Sequence, residues 1–429
     1  MTQTSTPAAT TGHARDESFL RAFEELSRFG ATPAGGVDRE AASPEHGAAR
    51  TWLTEQLTAA GHTVEVDRIG NLFGLLELVP GAPYVVVGSH LDSQPLGGRF
   101  DGAYGVLAAA EAATRVKALV QSGEVTPSAN IAVVDWFNEE GSRFKPSMMG
   151  SAVFCGTLPL EKALATQDTA GTTVASALED IDSTGTADVF GAGRPDRRVA
   201  AYGEIHIEQG RELEDHGVTI GLVDRTWAAN KYELRVHGAQ GHTGATAIAD
   251  RHDALLGASM IVVALRDIAD RFGPELHTSC GQLTVLPNSP VVVPRQVDMH
   301  LDLRSDNDEL LAAADAVLRE RIAEAEQRAA VRVEQRASHV WRGHRYPPAG
   351  VELARAVTEE LGMSSMVVPT RAGHDSTNMK ELVPTVMLFV PSVEGVSHAE
   401  TELTSDADLL SGVAVFTRTL SRMVEGDLS

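Results

Sequence analysis

Apolar residues recur at helical spacing over 19–30 (FLRAFEELSRFG) and 44–60 (PEHGAARTWLTEQLTAA). Ser43 is positioned to cap the second helix and Gly61 to end it. Three β-like runs follow, HTVEVDR (62–68), NLFGLLEL (71–78) and PYVVVGSH (83–90). The third has an unbroken apolar centre, the pattern of a strand covered on both faces. A helix is expected from about Gly102 to Val120, and then a second buried strand, IAVVDWF (131–137), ending in Asn138-Glu139-Glu140. Residues 157–200 are rich in Thr, Ala, Asp and Gly and read as helix and loop, with weak helical periodicity around 173–182. EIHIEQG (204–210) reads as a strand whose end carries His206, Glu208 and Gln209.

The pattern changes after about Asp224. KYELRVHG (231–238) alternates as a strand, and Arg251 to Arg271 is a long amphipathic helix. LHTSCGQLTVL (276–286) and QVDMHLDLR (296–304) are strands, 308–329 is a charged helix, and AVRVEQRA (330–337) is a strand. This β-α-β-β-α-β order is that of a ferredoxin-like sandwich. Helix and strand patterns then resume at 350–361, 383–391 and 406–423. The expectation is an α/β domain of residues 1–224 and 338–429, interrupted by an inserted α+β module over 225–337.

Composition narrows the function. At 429 residues the chain exceeds what one core usually organises, which agrees with two domains. The formal charge of −23 argues against nucleic acid or an anionic membrane as partner, and makes a local cationic clamp necessary for any anionic substrate. Two cysteines, Cys155 and Cys280, cannot build a disulfide framework or a thiolate zinc knuckle, and they fit a reducing cytoplasm. The first 17 residues are polar, without the apolar core of a signal peptide, and read as a frayed tail. No apolar run is long enough to span a bilayer.

The candidate chemistry lies at the ends of the apolar strands. The stretch 87–105, VGSHLDSQPLGGRFDGAYG, places His90, Asp92 and Asp101 within twelve positions. Imidazole and carboxylate are ligands for zinc, manganese, cobalt or nickel when no thiolate is offered. Glu139 and Glu140, His206, and His398 in PSVEGVSHAE also sit at or just beyond strand ends, where open α/β sheets bind their ligands. Singly each is weak, since a histidine at a strand end is more often structural and an adjacent Glu-Glu is usually a solvated loop. As a set they point to a metal centre. Two ions about 3.5–4 Å apart need a bridging carboxylate, and Asp101 in its Gly-rich turn is the best candidate. Of the Glu139-Glu140 pair, one carboxylate can bind metal while the other takes a proton from activated water and returns it to a leaving nitrogen. Asp92 is suited to orient the His90 imidazole. The implied reaction is metal-assisted hydrolysis of an amide-type bond.

On GSHLDS (88–93), GGRFDGAYG (97–105), NEEGSRF (138–144), HIEQG (206–210), GHTGATAIADRHDAL (241–255), LPNSPVVVP (286–294), LDLRS (301–305), AGHDS (372–376) and VPSVEGVSHAE (390–400), the chain resembles one enzyme family. It is the amidase/hydantoinase–carbamoylase branch of the dinuclear zinc metallopeptidases related to carboxypeptidase G. The branch includes N-carbamoyl-L-amino acid hydrolases, β-ureidopropionase and allantoate amidohydrolase. The resemblance implies a mixed-sheet, zinc-peptidase-like catalytic domain and an inserted ferredoxin-like lid and dimerisation domain. It implies that His90, Asp101 and His206 hold one ion, that Asp101, Glu140 and His398 hold the other, and that Glu139 is the general acid/base. It further implies a homodimer in which His242 of the inserted module reaches the partner's site.

For the substrate side, Arg304 can grip a carboxylate with two parallel hydrogen bonds, or it can be a surface ion pair with Asp302 or Asp306. His242, on a Gly-flanked turn, can stabilise an oxyanion or be an ordinary loop histidine. Gln209 can donate to a carboxylate or ureido group. The family usually reads Pro-Asn-x-x-Asn, and the second Asn contacts the substrate carboxylate. Here Asn288 is kept and Val291 stands in place of the second Asn, while HAGTTPM becomes HTGATAI (242–248). Losing a hydrogen bond to a charged group is worth about 1.5–3 kcal/mol, so these changes suggest a substrate pocket unlike that of ordinary carbamoylases. Trp227, Trp341 and Tyr346 flank the expected hinges and serve either packing or a larger pocket. The leading function is hydrolysis of an N-carbamoyl amino acid. The same machinery acting on N-acyl or conjugated amino acids is the alternative, and a non-catalytic metal-binding protein the minor one.

Overall fold

A computed structural model describes residues 7–191, 194 and 196–428. The chain divides into two compact units, 1–224 with 346–429, and 225–345.

The first unit is built on an eight-stranded mixed sheet. Its order is Thr63–Val66, Leu72–Leu76, Asn130–Trp136, Tyr84–His90, Val199–Ile207, Thr385–Val390, Ile220–Thr226 and Ser365–Thr370. The four middle strands run parallel to one another, and their outer pairings, with Leu72–Leu76 on one side and Ile220–Thr226 on the other, are antiparallel. Side chains alternate across a strand. Val85 and Val87 therefore join the core beneath helices Ala103–Ser122 and Asp406–Glu425, while Val86 joins Phe73, Trp136 and Tyr202 on the opposite face. Both faces are covered, so Tyr84–His90 and Asn130–Trp136 are buried along their whole length. This explains their unbroken apolar sequence. The parallel register sets His90 opposite Trp136, so the loops after both strands leave the same end of the sheet.

The second unit has a four-stranded antiparallel sheet, ordered Arg332–Trp341, Ala228–His237, Gln296–Ser305, His277–Leu286. In chain order that is fourth, first, third, second, with helices Ala254–Phe272 and Asp308–Ala329 packed on one face. Val297, Met299, Leu301 and Leu303 alternate into this core.

Several expectations need correction. The first helix runs Pro7–Leu26, so only residues 1–6 of the expected tail lie outside the described residues. Asp16 of this helix pairs with Arg115 at 2.8 Å. The helix stops before residue 30 because Arg39 Nη1 takes the carbonyls of Leu26 and Phe29, each at 3.1 Å. Strands Ile220–Thr226 and Ser365–Thr370 were not expected. The first ends on the polar run Asp224-Arg225-Thr226, and the second alternates only loosely, so neither carries a clear period. The last strand of the second unit continues to Trp341, so the expected boundary at 337 falls inside it and the unit ends at Arg345. Ser43 does cap its helix, accepting from His46 N–H at 3.1 Å.

Candidate metal centre

Five side chains predicted as ligands meet at the end of the large sheet. Asp101 lies at their centre. Its Oδ1 is 3.5 Å from His90 Nε2 and 3.0 Å from His206 Nε2, while Oδ2 is 3.2 Å from His398 Nε2. His398 Nε2 is also 3.5 Å from Glu140 Oε2. The donors thus form two groups with the spacing of metal sites, His90–Asp101–His206 and Asp101–Glu140–His398, and Asp101 belongs to both. Glu139 is buried beside the first group, with Oε2 at 3.6 Å from His90 Nε2.

Local backbone places these groups. Gly102 has φ of +64° at the start of helix Ala103–Ser122, and a Cβ there would fall 2.3 Å from the His90 ring. Only glycine combines that conformation with that approach. The Asp101 turn is held from the far end of the chain, because Glu402 Oε1 accepts the N–H groups of Phe100 and Asp101 at 3.0 and 3.1 Å. The ring orientations are set by main-chain carbonyls. His90 Nδ1 bonds Asp92 O at 2.9 Å, and His206 Nδ1 bonds Ile207 O at 2.8 Å. A proton on Nδ1 leaves each Nε2 with its lone pair facing the cluster.

The electrostatics favour a cation. Burial pushes Asp101 up, but His206, His398 and His90 outweigh it and hold the carboxyl well below its usual range. Burial works against protonation of His90, yet Glu139, Asp101 and Asp92 raise it well above an ordinary imidazole. His206 and His398 are raised for the same reason, with Asp101 as the main opposing charge. Burial, reinforced by Asp101, pushes Glu140 up to about 7. Buried carboxylates that draw protons onto three imidazoles are short of positive charge, and divalent ions satisfy that need. The donors are nitrogen and oxygen, matching zinc, manganese, cobalt or nickel.

A family model described as peptidase family M20/M25/M40 matches residues 86–422. The chain belongs to that family. Within it the chain lies on the hydantoinase/carbamoylase amidase branch. It is 35% identical over 415 residues to an N-carbamoyl-L-amino acid amidohydrolase of Geobacillus stearothermophilus, covering 96% of this chain and 99% of that one. A crystal structure of an amidase of the hydantoinase/carbamoylase family from Burkholderia vietnamiensis superimposes with a TM-score of 0.90 at 36% identity, covering 95% and 97% of the two chains. A protein of Mycolicibacterium smegmatis described no more finely than as a hydrolase is 70% identical, over 96% of this chain and 94% of that one. The α/β fold and the amidohydrolase class follow from these likenesses, and a dinuclear centre is typical of the M20 family. No described helix is long and apolar enough to cross a membrane.

Against this family background, some predicted site residues have contacts other than those expected. The Asp92 carboxylate lies 3.6 Å from His90 Nδ1, too far for a hydrogen bond. It accepts instead from the N–H groups of Glu139 and Glu140, at 3.1 and 3.2 Å, and so positions the acidic pair. Gln209 was expected to face substrate, but its Nε2 donates to Asp101 Oδ2 at 2.6 Å and to Ser397 Oγ at 3.1 Å. For Arg304 the sequence leaves open a carboxylate clamp or a surface ion pair with Asp302 or Asp306. Its Nε and Nη2 donate to Asp302 Oδ2 at 2.8 and 2.6 Å, which is the ion-pair alternative. His242 is exposed in the second unit, where its Nδ1 accepts from Gly244 and Ala245 N–H at 3.0 and 3.1 Å. Its proton therefore sits on Nε2, ready to donate. Asn288 and Val291 are exposed in the turn after strand His277–Leu286.

Sequence reasoning missed Glu402, Ser397 and Gln94. Ser397 Oγ bonds Glu402 Oε2 at 2.9 Å, and Gln94 Nε2 bonds Glu140 Oε2 at 2.9 Å. It also passed over His374, whose ring lies 4.5 Å from that of His206. A weak signal for Glu402 was present in Gly98, where a Cβ would fall 2.0 Å from the Glu402 carboxylate.

Proposed function

We propose that the protein is a metal-dependent amidohydrolase that cleaves the C–N bond of N-carbamoyl amino acids. The observation that carries this reading is the sharing of Asp101 between two donor groups, with Glu139 buried beside them. Two divalent ions, when bound, would supply the positive charge that polarises the scissile carbonyl and lowers the pKa of water. His90, Asp101 and His206 would hold one, and Asp101, Glu140 and His398 the other. Glu139 takes the proton of the attacking water as its oxygen adds to the carbonyl carbon. The same carboxyl returns a proton to the nitrogen as the C–N bond breaks. Burial raises Glu139 well above an ordinary carboxylate, which suits it to hold that proton. A carbamoyl substrate yields amino acid, ammonia and carbon dioxide.

The second unit supplies the substrate side in this reading. His242 donates Nε2–H to the developing oxyanion. Asn288 contacts the ureido or carboxylate group and Arg304 leaves Asp302 to grip the substrate carboxylate, while Gln209, which belongs to the first unit, leaves Asp101 and Ser397 to donate to the same substrate. The exposed strand edge of His277–Leu286 and the exposed Leu255, Leu256, Val262 and Val263 on helix Ala254–Phe272 favour a homodimer formed through this unit. Two unpaired thiols, Cys155 and Cys280, accord with a cytoplasmic enzyme.

Val291 supports a second reading, hydrolysis of N-acyl or conjugated amino acids, because an isopropyl group replaces a polar anchor. A panel of N-carbamoyl, N-formyl, N-acetyl and aromatic-acyl amino acids, assayed after loading with each metal, separates the two. Ammonia release on the carbamoyl compounds is the expected result, and turnover confined to substrates releasing a free carboxylic acid establishes the second reading.

A further inference from the structure

Leu91 links His90 to Asp92, and both of its peptide groups are gripped by buried charged side chains from distant parts of the chain. Asp135 Oδ1 accepts from Leu91 N–H at 2.8 Å, and Arg39 Nε donates to the Leu91 carbonyl at 2.7 Å. Arg39 also holds Ser93 through its main chain. Its N–H donates to Ser93 Oγ at 3.0 Å, and its carbonyl accepts from Ser93 N–H at 3.0 Å. Asp135 is secured in turn by Arg50, whose Nη1 lies 2.6 Å from Oδ2. Arg50 donates as well to the Gly70 carbonyl at 2.5 Å and to Ser183 Oγ at 3.3 Å. Arg39, Arg50 and Asp135 are 1%, 2% and 0% exposed.

Stability alone does not account for this arrangement. Removing charges from water is costly, and apolar side chains of similar volume often serve a core as well or better. The contacts converge instead on the four residues from which His90 presents its ring and Asp92 holds the Glu139-Glu140 loop. The His90 ring takes its orientation from the Asp92 carbonyl, so a shift of this segment would turn the imidazole. We propose that Arg39, Asp135 and Arg50 form a positioning clamp on His90–Ser93, setting the affinity of the centre for the ion held by His90. This rests on the two-ion reading given above.

The test uses the full chain, stripped with a chelator and titrated with zinc against a chromophoric competitor. Melting of the stripped protein is recorded in parallel. In the double variant Arg50→Met/Asp135→Leu, which leaves the Leu91 N–H and the Gly70 carbonyl without these partners, the stripped protein should melt lower than wild type, and affinity for one of the two zinc ions should fall about tenfold or more, the range for outer-sphere partners of metal ligands. Asp135→Asn keeps an acceptor for Leu91 N–H but leaves Arg50 without its charge partner. It should melt lower yet hold zinc more tightly than Asp135→Ala. A double variant with lower melting and unchanged zinc affinity overturns the clamp and leaves a structural role. If that variant does not fold, equal zinc affinity in Asp135→Asn and Asp135→Ala overturns it. Wild type that binds no zinc removes the two-ion reading itself, a result distinct from either.

Discussion

The two halves of the candidate machinery are built in opposite ways. In the first unit most of the polar groups are buried and tied, His398 alone of the proposed ligands standing exposed at the rim. Glu139 is 6% exposed, and Asp101 meets three imidazoles and two further hydrogen-bonding side chains. In the second unit the residues proposed to face substrate stand on turns and strand ends, with Val291 60% exposed. A desolvated cluster of charges persists only when each member is offset, so burial forces the reactive groups into one arrangement. Exposed turns carry no such demand. On the proposed reading the metal-binding groups are closely specified, whereas the residues proposed to face substrate are less constrained. Val291 and the HTGATAI segment, which depart from the pattern usual in the family the sequence resembles, are among them.

Four experiments would break or sharpen that contrast. The largest effect should come from metal removal. Dialysis against a chelator should reduce amide hydrolysis to background, and zinc, manganese, cobalt or nickel should restore it to differing extents. Full activity in protein verified as metal-free by elemental analysis would sink the two-ion reading. Next is Glu139→Gln, expected to lower kcat by about 10²–10⁴-fold with two ions still bound. A loss of ions instead would make Glu139 a ligand. Arg304→Ala probes the looser half. KM for carboxylate substrates should rise about tenfold or more, the worth of a hydrogen bond to a charged group, with kcat little changed. Equal loss on substrates lacking the carboxylate would leave Arg304 only its pairing with Asp302.

The last test leaves activity aside and concerns a buried acid remote from the chemistry. Burial raises Asp67 from 3.8 to about 6 even though it accepts hydrogen bonds from Ile69 and Asn71. The folded state thus binds this proton more tightly than the unfolded chain. The associated stability is complete below about pH 4 and is lost as pH rises through about 6. Denaturant melts of wild type and Asp67→Asn should therefore converge or cross as pH rises from about 4 to about 7. The shift in favour of the variant should be up to about 3 kcal/mol. A pH-independent difference would mean that Asp67 titrates normally.

Much of the arrangement was legible along the chain. Tyr84–His90 and Asn130–Trp136 are apolar throughout because both faces are covered, and that same feature marks their ends as the place where polar ligands gather. The ferredoxin-like order of the second unit was readable because its strands alternate cleanly. Ile220–Thr226 and Ser365–Thr370 were not readable, since their half-polar sequences carry no strong period. Asp92 was expected to orient the His90 ring through its carboxylate, but it is the Asp92 carbonyl that meets the imidazole. Whether its carboxylate or its carbonyl meets the imidazole depends on a rotation that residue spacing does not encode.

Residue order alone determined most of the segments that become helix or strand, which of the apolar strands lie inside, and which ligand types gather at one end of the sheet. Local periodicity and solvent exclusion act over a few residues and leave their mark in the text. The assignment of individual atoms was decided only by tertiary structure. Phe100 and Glu402 stand 302 positions apart yet share a hydrogen bond that holds the central aspartate. Partners so distant obey no period. Their pairing is enforced only when packing removes water and leaves each buried polar group to find its complement.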